Sequence, residues 1–477
     1  MRFARQSSCR SPLATLGKGL CGKLSALMAA ESGGIALQFG LLLVPLMLLA
    51  GGSIDLGNVY RIRTALQNAS DAASVGSLTK QSPAYIAAQT MPGNGSISAG
   101  VADATNLFNA NITGLSGTSA ITVTPAVTKS SLVLSSTVNW SATVPMTFLG
   151  LIPGQSNWTI AGTSKSTASL PQYLDFYLMV DVSGSMSFPS TPLGQTRLAT
   201  VSQDDKSQYP TGCQFACHFA GYLGYYWSRN GGNALSPQVS SCPTPDVSAC
   251  IQLRTDAVGV AIQQLLQTAK NTESVSNQYR IGLYPFIAYL MTYYPITSDI
   301  TSTGVTSLSY AASQISNLLD TGVNTSLGSG GTHFENAFPT MNSLIKTIGT
   351  GASQSSPLPF VFLITDGSQD NQYYTTSTGW YGSNQATTLN PALCTQLKNH
   401  GITISVLYIP YQTILNPNAS FAGNEDGAAN NNIPYIPAAL TSCASPNFFF
   451  TANSPADITN ALAAMFNQAV AEARITN

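Results

Sequence analysis

Charge is what this 477-residue chain has least of. Asp, Glu, Lys and Arg make up 8% of it, against roughly a quarter in ordinary soluble proteins. Ser, Thr, Asn, Gln and Gly take their place, giving a polar but nearly uncharged surface that suits an exported protein better than a cytosolic one. The net charge is −1, and no basic patch stands out beyond the N-terminal tail, which argues against nucleic acid as a partner. Signatures of catalysis are missing too. There is no Gly-x-Ser-x-Gly elbow, no Walker loop and no His-Glu-x-x-His pair. No fixed-period repeat is present. At this length two or three folding units are expected.

One long apolar run is there. Ile35 to Ile54 carries no charge over twenty residues, about what crosses a hydrocarbon core of roughly 30 Å. Arg2, Arg5, Arg10, Lys18 and Lys23 precede it, with only Glu31 opposing them. The positive-inside rule then puts the N-terminus in the cytoplasm and the residues after about Asp55 outside. A cleaved secretory signal is the rival reading. The basic region is long for one and no small-x-small cleavage site follows, so a retained anchor is favoured.

Past the span, Leu56, Val59, Leu66, Ala69 and Ala73 recur at helical spacing to about Thr79. Asp55-Leu56-Gly57 opens this stretch, and Asp71-Ala72-Ala73 lies near its end. Ser32 to Leu78 resembles the N-terminal segment of TadE/TadG-like proteins of the Flp/Tad pilus assembly system. Those have a Gly-led apolar helix, an Asp-x-Gly and an Ala-rich continuation. The resemblance implies a role with pilus assembly components. Gln38 stands where a processed pilin would carry Glu after a cut at Gly33, so an anchored accessory protein is expected rather than a polymerising pilin.

Gln81 to Gly100, rich in Pro, Gly and Ser, reads as a loop, and Val101 to Ala110 as a short helix. Ala120 to Leu170 alternates apolar and small polar residues at strand period, giving a small β-rich module. From Pro171 onward strands and helices alternate: strands at Tyr173–Val180, Tyr279–Leu290, Pro359–Thr365, Ile402–Ile409 and Asn447–Thr451, helices at Leu253–Ala269, Glu335–Ile348, Pro391–Asn399 and Pro455–Arg474. Continuous apolar strands separated by helices predict an α/β fold with a doubly wound, mainly parallel sheet.

The first of these strands runs into Asp181-Val182-Ser183-Gly184-Ser185. Ligand sites of open parallel sheets lie beyond such carboxyl ends, and three side-chain oxygens in one tight turn suit a hard divalent cation. Thr332 follows two glycines just before a helix, and Asp366 ends another apolar strand. Any one of these pieces alone is more often a turn or helix cap. All three in order resemble the metal-ion-dependent adhesion site of von Willebrand factor A (VWA) domains. That resemblance implies a Rossmann-like fold over residues 171–477 and a metal (Mg²⁺, Mn²⁺ or Ca²⁺) held by Asp181, Ser183, Ser185, Thr332 and Asp366. It also implies a coordination position left for a carboxylate from a protein partner. The organisation expected is a cytoplasmic tail (1–31), a membrane helix with its extension (32–80), a β-rich linker module (81–170) and the VWA-like domain, with an insertion at about 187–252.

That insertion holds Cys213, Cys217, His218, Cys242 and Cys250, with Tyr222, Tyr225, Tyr226 and Trp227. Zinc is conceivable with such ligands, but disulfides are the preferred reading in an oxidising compartment. Cys394 and Cys443 form a natural second group. The insertion follows the metal motif, so it is expected to overhang the ligand face. His333 reads as a helix-start residue and His400 as solvated. The segment Leu115–Ala120 weakly resembles a subtilase serine region but has no matching Asp and His.

The expected function is a single-pass inner-membrane protein, non-enzymatic, whose periplasmic or extracellular bulk binds a protein partner through metal during pilus assembly or adhesion. A VWA adhesin or stress-related binding protein unconnected with pili is the first alternative, and a hydrolase the second.

Overall fold

The computed structural model describes residues 31–201, 251–320, 326–375, 377–383, 385–414 and 426–475. Within them the chain separates into two compact units. One comprises the segments up to Ala88 and Gly95–Ala168, the other Gln89–Asn94 and the chain from Ser169 onward.

The first unit is built on α1 (Glu31–Gly76), a continuous helix of 46 residues with Pro45 inside it. Phe39, Leu41, Leu42, Leu46, Met47 and Leu49 are all exposed, so its first half offers apolar surface all round. The second half is amphipathic. Asp55, Val59, Ile62, Leu66, Ala69 and Ala73 are buried at steps of three and four, the stripe that turns toward a core. Leu56, expected on this stripe, is instead on the exposed side, and Ile62 completes the row.

Helix α2 (Pro83–Thr90) lies within the segment read from sequence as a loop. Its start signals were local ones: Pro83 suits the first helical position, and the Ser82 hydroxyl accepts the Tyr85 N–H at 3.2 Å. Ala84, Tyr85 and Ala88 are buried, so packing outweighs a composition rich in turn residues. A short β1 (Gly95–Ser96) and α3 (Ser98–Asn111) follow. Three long strands then complete a four-stranded sheet in the order β1-β2-β3-β4: β2 (Ser119–Ser130), β3 (Val133–Pro145) and β4 (Asn157–Ser169). Along β3, Leu134, Ser136, Val138, Trp140, Ala142 and Val144 alternate inward. Helix α1 lies on that face, where the Ser70 hydroxyl donates to the Val138 carbonyl at 3.0 Å and Ser77 to Ser136 at 3.0 Å.

The second unit contains a six-stranded sheet in the order β14-β13-β8-β5-β6-β7. Its strands are β5 (Leu174–Asp181), β6 (Tyr279–Phe286), β7 (Tyr294–Thr297), β8 (Leu358–Thr365), β13 (Thr403–Tyr408) and β14 (Phe449–Thr451). Only the β6–β7 pairing is antiparallel. Every residue of β5 is buried, as a central parallel strand covered on both faces must be. Phe176, Leu178 and Val180 point into one cluster with α5 (Arg254–Thr272) and α11 (Pro455–Ile475). Tyr177 and Met179 point into the other, with α7 (Phe334–Leu344), α8 (Pro391–Asn399) and α10 (Ile436–Cys443). The sheet is thus doubly wound. Asp175 on β5 and Arg280 on β6 are register partners and form a bidentate ion pair.

Two elements stop four residues short of the sequence reading. Strand β6 stops at Phe286, where the chain turns back on itself at Leu290. Helix α7 stops at Leu344, four residues early, because Ile345 leaves helical geometry. The expected insertion contains α4 (Pro192–Val201). Smaller pieces are α6 (Leu308–Ser313), α9 (Asp426–Asn432), a β9–β12 pair (Ser368–Gln369 with Thr387–Thr388) and a β10–β11 hairpin (Gln372–Thr375 with Gly379–Gly382). Cys394 and Cys443 form a disulfide, as their grouping suggested. Cys213, Cys217, His218, Cys242 and Cys250, with the aromatic residues among them, lie outside the described residues.

Candidate metal centre

From β5 the chain moves to β6 on one side; later it returns to β8 on the other. Strands β5 and β8 are adjacent, so the switch point of the sheet falls between their carboxyl ends, where open α/β sheets take ligands. Asp181 is the last residue of β5, and Asp366 follows the last residue of β8. Both carboxylates are fully buried.

Asp181 accepts two local hydrogen bonds, from the Ser183 N–H at 3.0 Å and from the Thr365 hydroxyl at 2.6 Å. Burial nevertheless raises its pKa to about 7, with the negative charge of Asp366 adding to the shift; the hydroxyls of Ser183 and Thr365 oppose it. Asp366 is also raised, again by burial, against the pull of Arg254 and the Ser185 hydroxyl. Its Oδ1 accepts the Ser368 N–H at 3.2 Å, while Oδ2 is buried without a hydrogen-bond donor. Two carboxylates thus lie buried within range of each other's charge, one with an oxygen that lacks a hydrogen bond.

The hydroxyls fit the same chemistry. Ser183 and Ser185 stand 3.3 Å apart, oxygen to oxygen, on the turn after β5. Ser185 and Thr332 line one cleft of about 100 Å³, together with Asp320, Ser368 and Asp370. All five residues singled out from sequence therefore lie around the carboxyl ends of β5 and β8. Among the described residues no group of three His, Cys, Asp or Glu side chains gathers to hold a metal. A donor set of two carboxylates and three hydroxyls is instead a hard oxygen set of the kind Mg²⁺, Mn²⁺ or Ca²⁺ takes.

Thr332 owes its place to glycine. Gly330 and Gly331 both have positive φ, +86° and +52°, and a Cβ on Gly331 would overlap the Asp370 carbonyl. That close approach makes a short bridge, with Thr332 N–H donating to Asp370 at 2.8 Å and Asp370 N–H to Thr332 at 3.2 Å.

Three further residues belong to the site and carried no signal in the sequence. Asp320 receives the Ser329 hydroxyl and, at 2.8 Å, the Gly330 N–H, so it braces the loop that presents Thr332. Asp370, its pKa raised to about 6 by burial, sits on the cleft wall. Arg254, at the start of α5, is buried behind Asp366 with Nη1 3.6 Å from Oδ2; its Nη2 donates to the Pro410 carbonyl at 2.6 Å. His333, the N-cap of α7, is fully buried and shares hydrogen bonds with Glu335 at 2.7 Å and the Gln372 carbonyl at 2.9 Å, so both ring nitrogens are engaged away from the cluster. His400 is only partly exposed and bonds Asn342 at 2.9 Å, a structural contact rather than a solvated ring.

The second unit is thus a doubly wound α/β sheet with the carboxylates and hydroxyls gathered at its switch point. At the other end of the chain, residues 33–77 match the family model described as "Putative Flp pilus-assembly TadE/G-like". Among solved structures the chain is similar to the pilus adhesin SpaC of Lactobacillus rhamnosus GG, with 13% identity, 76% of this chain, 35% of that one and a TM-score of 0.32. It is also similar to the PilB minor pilin of Streptococcus sanguinis (10% identity, 70% and 75% of the chains, TM-score 0.35). A third is the vWF domain of the type V pili tip protein Mfa5 of Porphyromonas gingivalis (13% identity, 65% and 97%, TM-score 0.32). The chain spans about a third of the SpaC length. Among curated proteins no relative matches.

Proposed function

We propose that this is a single-pass inner-membrane protein of pilus assembly or adhesion, and that its VWA-type unit binds a protein partner through a divalent ion. The N-terminus is cytoplasmic and the bulk of the chain periplasmic or extracellular, as the basic tail before the apolar run of α1 supports. The observation that carries the binding reading is the pair of buried carboxylates, Asp181 and Asp366, at the sheet's switch point, with Ser183, Ser185 and Thr332 beside them.

The charges explain what the site would prefer. Asp181 and Asp366 supply two negative charges and Arg254 one positive. A bound divalent ion would supply Lewis acidity and would turn the sum over these three groups from −1 to +1. Asp181 and Asp366 would hold that ion from the strand ends, the three hydroxyls would contribute neutral oxygens, and Arg254 would offset one carboxylate charge, while Asp320 and Asp370 on the cleft wall count on the negative side. An ion held by only two negative ligands would stay electrophilic enough to favour an incoming carboxylate. In this reading Asp181 and Asp366 are taken up by the cation, which is why binding rather than catalysis is proposed.

The test is Mn²⁺ titration of the full chain in nanodiscs, beside Asp181→Ala and Thr332→Ala. Both variants are expected to lose at least tenfold in metal affinity. Equal affinity in all three removes the assignment.

A further inference from the structure

The turn between β3 and β4 carries a second apolar surface. From Ser130 to Ser164 no residue is charged. Leu151 is 76% exposed, Trp158 46%, Ile152 40% and Phe148 38%. Three large apolar side chains on one uncharged connection, with Trp158 at the start of β4 beside them, are too many to leave in water without a reason.

Their position supplies the reason. Gly51 and Gly52 of α1 lie three and two residues before the end of the apolar run at Ile54. A methyl on Gly51 would overlap the Phe148 ring, and one on Gly52 would press on Leu149. Asp55 fixes this contact, because its carboxylate accepts the N–H groups of Thr147 (3.1 Å), Phe148 (2.8 Å) and Leu149 (2.8 Å). At 1.5 Å of rise per residue, the turn is held about 3–5 Å inside the end of the apolar run. Its backbone is already paired within itself, by Leu151 N–H to Phe148, Ile152 N–H to Leu149, Gln155 N–H to Ile152 and Met146 N–H to Ser156. That lowers the penalty for entering a non-aqueous layer.

We infer that Phe148, Leu151, Ile152 and Trp158 form a membrane-interface anchor, seated in the headgroup and acyl boundary of the leaflet at the C-terminal end of the α1 span. The occupant is lipid, because the patch is continuous with an apolar helix surface that itself requires lipid, and tryptophan favours that depth. The inference rests on reading α1 as a retained membrane span. Its consequence is that the first unit touches the bilayer at two points and cannot spin about the helix axis.

The experiment uses the full chain in phosphatidylcholine nanodiscs whose acyl chains are brominated near the headgroup. Bromine is expected to quench part of the wild-type tryptophan emission. Trp158→Phe is expected to lose that quenched part, and Leu151→Trp in the Trp158→Phe background to restore it. Quenching that is absent, or equal in wild type and Trp158→Phe, while the chain still migrates with the nanodisc overturns the inference and leaves the span standing; protein then covers the patch. A chain that separates from the nanodisc overturns both.

Discussion

Arg254 and Asp366 face each other across 3.6 Å with an unbonded nitrogen on one side and an unbonded oxygen on the other. The guanidinium also lies over the Phe188 ring, 5.3 Å from its centre. Arg254 is therefore the internal counter-charge of Asp366. Removing one partner of a buried pair costs about 3–5 kcal/mol. Arg254→Met is expected to lower the unfolding temperature in EDTA, and to show a larger rise on adding Mn²⁺ than wild type does. Thermal unfolding with and without Mn²⁺ measures both; an unchanged Mn²⁺ increment would separate Arg254 from the metal.

The metal-free protein is expected to lose stability as pH rises. Asp181 has a folded pKa of about 7, above its unfolded value of about 4. A group raised in this way stabilises fully below the unfolded value and ceases to do so as pH passes through the folded one. In EDTA, the urea midpoint is expected to fall between pH 4 and 7, and Asp181→Asn to flatten the change. With Mn²⁺ present the trend reverses, because the ion binds the deprotonated form.

Gly331→Ala tests the loop without touching a ligand. The added methyl meets the Asp370 carbonyl, at a backbone φ that disfavours any side chain. Thr332 is expected to shift and Mn²⁺ affinity to drop at least tenfold while the secondary structure, read by circular dichroism, stays intact.

Asp55→Ala removes the acceptor of three backbone N–H groups at once. Each charge-assisted bond contributes about 1.5–3 kcal/mol, and Asp55→Asn retains part of that. Hydrogen exchange at Thr147, Phe148 and Leu149 is expected to rise strongly in the alanine variant and less in the asparagine one. Unchanged protection would mean the turn holds without Asp55.

Breaking the Cys394–Cys443 disulfide, which closes a separation of 49 residues, removes about 4 kcal/mol by loop entropy. The double substitution to alanine is expected to unfold at lower denaturant than wild type, in proportion.

The apolar runs of β5, β8 and β13 declared themselves in sequence because a central parallel strand is buried on both faces. Asp181, Ser183 and Ser185 were legible for a similar reason: three oxygens fall within five residues. Arg254 was not, since it acquires its role from Asp366, far along the chain, and Asp320 was not, since only the folded loop brings the Ser329 hydroxyl and Gly330 N–H onto it. Helix α2 was hidden by its composition, and the aromatic hairpin β10–β11 by the absence of a clean alternation. Asp55 was visible as part of a resemblance, yet its partners at Thr147–Leu149 lie more than ninety residues away and only the fold reveals them.

Before residue 202 and after residue 250 the chain is drawn together. Pro189 bridges Leu253, Ser190 N–H donates to the Gln252 carbonyl at 2.9 Å and Arg254 N–H to the Phe188 carbonyl at 3.0 Å. Such a clasp decouples what it closes off from what it is attached to. A recognition loop grafted at this joint is therefore expected to leave β5, α5 and the carboxylates in place.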